Sequence, residues 1–211
     1  MYIPPYFRNS DTADLVSFMR EYSFALITSN GALVPMATHL PFVCEERDQH
    51  IFLLSHFSKA NPHWQSLQDG SEVLIVFQGP HAYISPSNYE KKQNVPTWNY
   101  IAVHARGLIR IIRDEEDTRK VLEKMIGSYE PGYREQFDSL SGDYISGMIK
   151  GIVAFEVEVV QLEGKFKLSQ NKTARERENI MHGLAGAGDT TAAAVADYMK
   201  SNEEKNKKHD A

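Results

Sequence analysis

Apolar residues recur with two different periods along this chain, and each change of period marks a change of element. Leu15, Phe18, Met19 and Tyr22 fall at helical spacing. Asp11 can cap that helix and Asp14 sits near its positive end. The period then shortens to two. Residues 24–28 read as a strand, Ser29-Asn30-Gly31 as a turn, residues 33–42 as the returning strand and residues 51–55 as a third. Asn61-Pro62 predicts a helix start, with Trp64 and Leu67 toward the core. The continuous apolar run at 73–77 predicts a strand buried on both faces, and 82–85 a short one ended by Pro86. Residues 98–112 predict one long strand bent near Gly107.

The later half alternates helix and strand patterns. Residues 114–127 form a charged amphipathic helix with Val121, Leu122 and Met125 inward. A loop over 128–143 and a short helix reaching Met148 follow. Over 152–162 the apolar Val153, Phe155, Val157 and Val159 alternate with Glu156 and Glu158, as in a half-buried strand, and 166–168 is strand-like again. Thr173-Ala-Arg-Glu176 is a capping-box pattern opening a helix that Gly186 and Gly188 end. Asp189 can cap a last helix with Val195, Tyr198 and Met199 on one side, and the mixed-charge tail 203–211 is expected to fray. About six strands and a minority of helices give a mainly β, α+β fold: a β-barrel with peripheral helices. The barrel is assigned to residues 1–170 and a helical appendage to 171–211.

Composition narrows the class. With 42% hydrophobic and 24% charged residues, the chain reads as globular. A net charge of −5 disfavours non-specific adhesion to nucleic acid. The single cysteine, Cys44, has no basic neighbours to activate it and reads as a small buried residue. No apolar run approaches the ~20 residues that span a bilayer, and the N-terminus lacks a signal-peptide pattern, so a cytoplasmic location is expected.

Six of the eight histidines lie between His39 and His104, but without metalloprotease spacing or a cysteine pair, so no metal site is assigned. Lys59, beside the helix start at Pro62, makes a phosphate seat with His56 and Ser58 as further donors, or else a solvated lysine on an ordinary capped helix. Residues 73–89 carry no Asp, Glu, Lys or Arg, and neither do residues 95–105. Such surfaces suit a planar, polar-edged ligand, and equally the core of a dimer interface. Lys165, Lys167 and Ser169 would share one face of a strand while Phe166 and Leu168 face the core. This segment reads either as part of a site or as a charged strand edge that deters aggregation.

Five blocks together resemble the PaiB family: Ala37-Thr-His-Leu-Pro-Phe42, His56-Phe-Ser-Lys-Ala-Asn-Pro-His-Trp64, Phe77-Gln-Gly-Pro-His-Ala-Tyr-Ile-Ser-Pro86, Val95-Pro-Thr-Trp-Asn-Tyr100 and Lys167-Leu-Ser-Gln-Asn-Lys172. Met1-Tyr-Ile-Pro4 also fits. The resemblance implies negative transcriptional regulators of protease synthesis and sporulation. It implies an FMN-binding split β-barrel with peripheral helices, usually a homodimer with flavin at the subunit interface. By resemblance, Thr38, His39, Leu40 and Pro41 would run along the isoalloxazine ring. His56, Ser58, Lys59 and Asn61 would approach the ribityl phosphate, and Lys167, Ser169, Gln170 and Asn171 would close the site. Gln78 and Trp98 are candidates to enter it from a second subunit.

Three functions follow from these readings. One is a flavin-carrying regulator, acting directly on DNA or indirectly. Against direct action, no basic recognition helix is evident: Lys172, Arg175 and Arg177 sit beside Glu176 and Glu178, and Lys205, Lys207 and Lys208 are mixed with Glu203, Glu204 and Asp210. The second is a flavin-linked oxidoreductase, since a bound flavin itself supplies redox chemistry. The third is a haem-handling barrel with a histidine ligand.

Overall fold

A computed structural model describes the backbone of residues 1–31 and 33–209, and the side chains of these up to residue 205. Its strands are β1 (Arg8–Asn9), β2 (Phe24–Ser29), β3 (Met36–Pro41), β4 (Val43–Arg47), β5 (His50–Ser58), β6 (Glu72–Ile84), β7 (Thr97–Ile112) and β8 (Ile152–Lys167). Its α-helices are α1 (Thr12–Glu21), α2 (Glu115–Tyr129), α3 (Arg134–Ser139), α4 (Gly142–Ile149), α5 (Ala174–Ala185) and α6 (Thr190–His209). The strands join in the order β3-β2-β6-β7-β8-β5-β4, with β1 also on β8. The pairs β2–β3, β2–β6, β4–β5, β5–β8 and β1–β8 are antiparallel. The chain divides into two compact units, through both of which β6, β7 and β8 run. The larger unit is residues 12–77 with 104–162; the smaller is residues 1–11, 78–103 and 163–211.

In the larger unit the inward positions of β5, β6 and β8 bring phenylalanines together. Phe57 stacks on Phe155 with centroids 4.8 Å apart, and Phe42 meets Phe77 and Phe155 edge-on at 5.9 and 6.1 Å. All four are fully buried, each contributing about 1.5–3 kcal/mol relative to exposure. α1 buries Leu15, Val16, Phe18 and Met19, the face its spacing predicts. Val121 and Met125 of α2 pack with Val43, Leu54, Ile112 and Ala154, while Phe137, Ile145 and Ile149 form a smaller cluster under α3 and α4. In the smaller unit α5 packs on α6, burying Ile180, Leu184, Val195 and Met199.

The departures from the sequence reading have physical reasons. The returning strand begins at Met36, not residue 33, because Leu33 and Val34 are exposed and Pro35 cannot donate to a ladder. Strand β4 is hidden in sequence by Glu45, Glu46 and Arg47. Each of these finds a partner after folding: Lys124 at 2.7 Å, Arg20 at 3.1 Å and Glu156 at 2.7 Å. Its hairpin turns through Asp48 (φ 49°) and Gln49 (φ 68°), a left-handed pair made without glycine. The helix at Asn61-Pro62 is only a five-residue 3-10 turn, Pro62–Ser66, and it buries His63 while Trp64 stays half-buried.

The two short strands foreseen around Gly79-Pro80 are one, β6. Its exposed face shifts phase across Gly79-Pro80, as a bulge does, and its first stretch alternates buried with half-buried positions instead of being buried on both faces. β7 is the expected long strand. A Cβ on Gly107 would collide with the Glu158 carbonyl oxygen, so close strand approach requires glycine there. The loop foreseen at 128–143 holds the end of α2, a 3-10 turn and α3. β8 takes in Phe166 and Lys167 but ends before Leu168, and its end is not an open charged edge, because β1 pairs there (Arg8 with Lys165). The tail continues α6 as helix to His209; Asp210 and Ala211 lie outside the described residues.

Candidate functional site

Fourteen residues were assigned above to a ligand site, and they fall in two sets. The set in the larger unit centres on a hydrogen-bonded group. Asn61 accepts from the His63 backbone N–H at 3.0 Å, which fixes the turn after β5. The Asn61 amide donates to Thr38 Oγ1 at 3.3 Å. His63, buried, places Nδ1 2.8 Å from Thr38 Oγ1 and Nε2 2.9 Å from Ser29 Oγ. Burial lowers the His63 pKa, so its ring is neutral and offers one donor and one acceptor to the two hydroxyls. His63 was not among the assigned residues. The sequence signal for it was its place inside the His56–Trp64 block.

Strand alternation separates the rest of this set. Thr38 and the buried Leu40 share one face of β3, and His39 and Pro41 the other, so these four side chains do not line one surface. His39 is exposed and stacks on exposed Phe24 at 6.0 Å. His56 and Ser58 lie together on one face of β5. His56 Nδ1 is buried and has no hydrogen-bond partner among the described residues, and burial lowers the pKa of this ring too. An orphaned buried nitrogen costs about 1–3 kcal/mol unless a ligand or water satisfies it. The Lys59 ammonium, exposed, makes no hydrogen bond or ion pair among the described residues. Its backbone is fixed at both ends: its N–H donates to Gly151 at 2.8 Å and its carbonyl accepts from Trp64 Nε1 at 2.9 Å.

In the smaller unit, Lys167 donates to Thr97 Oγ1 and to the Trp98 carbonyl. Burial and the charge of Lys165 lower its pKa. Lys165 itself is buried, donating to the Tyr2 carbonyl at 3.1 Å, so it does not share an open face with Lys167. Ser169 is held left-handed at φ 62° and donates to the buried Asn99 Oδ1 at 3.0 Å. Gln170 bonds within its own loop, to the Phe166 carbonyl and the Leu168 N–H. Ser169 and Gln170 therefore shape the loop, while Asn171 is exposed. Gln78 and Trp98 are exposed, and Trp98 lies 5.6 Å from His81 and 6.1 Å from Tyr83, an open aromatic patch on the uncharged stretch.

Cys44 is buried, and desolvation pushes its thiol up to about 11, as an inert residue requires. No helix is long and apolar enough to cross a membrane among the described residues.

Residues 1–161 match the family described as "Putative FMN-binding domain". The chain belongs to this family. A relative from Bacillus subtilis (strain 168), "Protease synthase and sporulation protein PAI 2", is 36% identical over 95% of this chain and 97% of its own. The membership agrees with the PaiB resemblance, and FMN or a related flavin is the family's cofactor by description. Among solved structures, the flavocytochrome Anf3 from Azotobacter vinelandii superposes with a TM-score of 0.61 at 15% identity, covering 78% of this chain and 72% of its own. The FAD and heme binding protein from Mycobacterium smegmatis gives 0.61 at 14%, covering 86% and 80%. The fold is thus the split β-barrel with peripheral helices.

The residues of the larger unit fit a flavin. An orphaned imidazole nitrogen, an uncommitted lysine and a fixed array of hydroxyl and amide groups are the donor set that a polar ring edge and a phosphate call for.

Proposed function

We propose that this protein is a flavin-binding regulator of the PaiB type, a homodimer in the cytoplasm that represses protease synthesis and sporulation without a DNA-recognition helix of its own. The observation that carries the flavin reading is the buried, partnerless His56 Nδ1 on the same strand face as Ser58, next to the uncommitted Lys59. Thr38 and Asn61, held by His63, would present a fixed hydroxyl and amide to the ring, and Lys59 with Ser58 would hold the phosphate. Lys167, Ser169, Gln170 and Asn171 enter this reading only through the resemblance. A bound flavin supplies electron-transfer chemistry and a state that can be occupied or empty. The chain's own part is to orient the ring, hold the phosphate and keep a neutral imidazole beside it.

Dimerisation is supported by apolar surface left open in each unit. Trp98 and Tyr83 are each 53% exposed in the smaller unit and Phe24 66% in the larger, aromatic anchors of the kind interfaces bury. Indirect action is supported by the charge pairing of α5. Arg177 meets Glu203 at 2.6 Å and Arg175 meets Glu90 at 3.8 Å, which leaves this helix without a free basic face.

The visible spectrum and an FMN titration test the reading. Bands near ~450 nm, or saturable uptake of added FMN, are expected. A colourless protein that takes up none would refute it. Lys59→Ala should weaken FMN binding by about tenfold, the loss of one charge-assisted phosphate contact. A gel shift that is sequence-selective and resists salt would overturn the indirect reading.

A further inference from the structure

Within the larger unit lies a second feature, of which the flavin reading uses only Lys59. A cleft of about 350 Å³ opens between the 3-10 turn, the end of β7, the first turn of α2, the end of α4 and the start of β8. Leu67, Ile111, Ile112, Ile149, Ile152 and Val153 form an apolar floor, and the half-buried Trp64 adds a flat wall. Three cations and one acid, Glu115, line the cleft. Arg113 is committed to Asp69 at 2.7 Å. Lys59 and Lys150 are not: neither ammonium has a hydrogen bond or ion pair among the described residues. The two lysines share one rim because the Lys59 N–H is bonded to the carbonyl of Gly151, the residue after Lys150.

An apolar floor with two uncommitted ammonium groups at its rim calls for an apolar body with an anionic head. Glu115 offsets one of the two charges, which favours a single negative charge over a phosphate dianion. The geometry points to a binding site for a small amphipathic monoanion, an aliphatic or aromatic carboxylate or sulfonate, that shares only Lys59 with the flavin reading. The inference does not rest on the flavin reading. Because Lys59 belongs to both, the test turns on Lys150, an exposed residue just past α4 whose side chain can be changed without disturbing the core.

The probes are 8-anilinonaphthalene-1-sulfonate and its uncharged analogue N-phenyl-1-naphthylamine, followed by fluorescence on the full chain. The sulfonate is expected to bind at least about fivefold more tightly than the neutral dye. Lys150→Glu should remove that preference, leaving the neutral dye and FMN binding unchanged, and Lys150→Arg should retain it. Decanoate and naphthoate should compete, and whichever is stronger identifies an aliphatic or aromatic body. Equal affinity for both dyes, no effect of Lys150→Glu, or competition by neither acid would each overturn the site. Failure of FMN to bind while the sulfonate binds as expected would sink the flavin reading and leave this one standing.

Discussion

Replacing His63 with alanine removes a buried ring that touches three other groups. Two side-chain hydrogen bonds are lost, to Thr38 Oγ1 at 2.8 Å and to Ser29 Oγ at 2.9 Å. Each contributes about 0.5–1.5 kcal/mol net. Thr38 keeps the Asn61 amide at 3.3 Å, while the Ser29 side chain loses this contact to His63. The ring also packs on Phe57 at a centroid distance of 5.3 Å, so its removal leaves a void against the phenylalanine core. Together these give about 2–4 kcal/mol of destabilisation. In a domain of this size that lowers Tm by about 5–15 °C. The assay is thermal and urea unfolding of His63→Ala, Thr38→Val and the double variant. Coupling of at least about 0.5 kcal/mol between the two sites is expected, since they share one hydrogen bond. A loss below about 1 kcal/mol in His63→Ala, or strict additivity in the double variant, would refute the idea that His63 holds Thr38.

Four further outcomes follow from the structure. The folded pKa values of His56 and His63 are lowered by burial, so the unfolded chain binds more protons in mild acid; stability should be full above pH about 6.5 and fall below it, a trend that Tm against pH checks and a flat profile between about pH 7 and 5 contradicts. Glu156, although burial opposes its ionisation, is held below the ordinary carboxylate range by Arg47 and Arg110, so Glu156→Gln should cost about 1 kcal/mol near neutrality and nothing once the pH falls below the folded pKa, read by urea unfolding at several pH values. Gly107→Ala drives a methyl group into the Glu158 carbonyl and Val157 and should cost more than about 3 kcal/mol; wild-type unfolding would refute the close approach. Dimer formation should weaken in Trp98→Glu, since the substitution puts a charge on the open aromatic patch; unchanged mass by light scattering would remove that patch from the interface.

The local elements around the candidate site were legible because their chemistry is local. The Asn61 cap, the Thr173–Glu176 capping box and the long strand to Ile112 each depend on residues a few positions apart, and all three form. What could not be read locally was which side chains are already spent. Ser169 and Gln170 look like ligand donors in sequence, yet one is committed to Asn99, seventy residues away, and the other to its own loop. His63 looks like one histidine among eight until the fold sets it between Ser29 and Thr38.

The chain alone determined the class of fold and the family, because periodicity, caps and five ordered motifs are written along the backbone. It also determined that the stretches 73–89 and 95–105 carry no charge. Tertiary structure decided what that means: the inward half of each strand became core, while Trp98, Tyr83 and Gln78 were left at the surface. It decided as well that β4 exists, since three charged residues form a strand only where Lys124, Arg20 and Glu156 meet them. The physical reason is the same in each case. Propensity and pattern act over a few residues, whereas burial and the pairing of charge are settled only when distant segments arrive together.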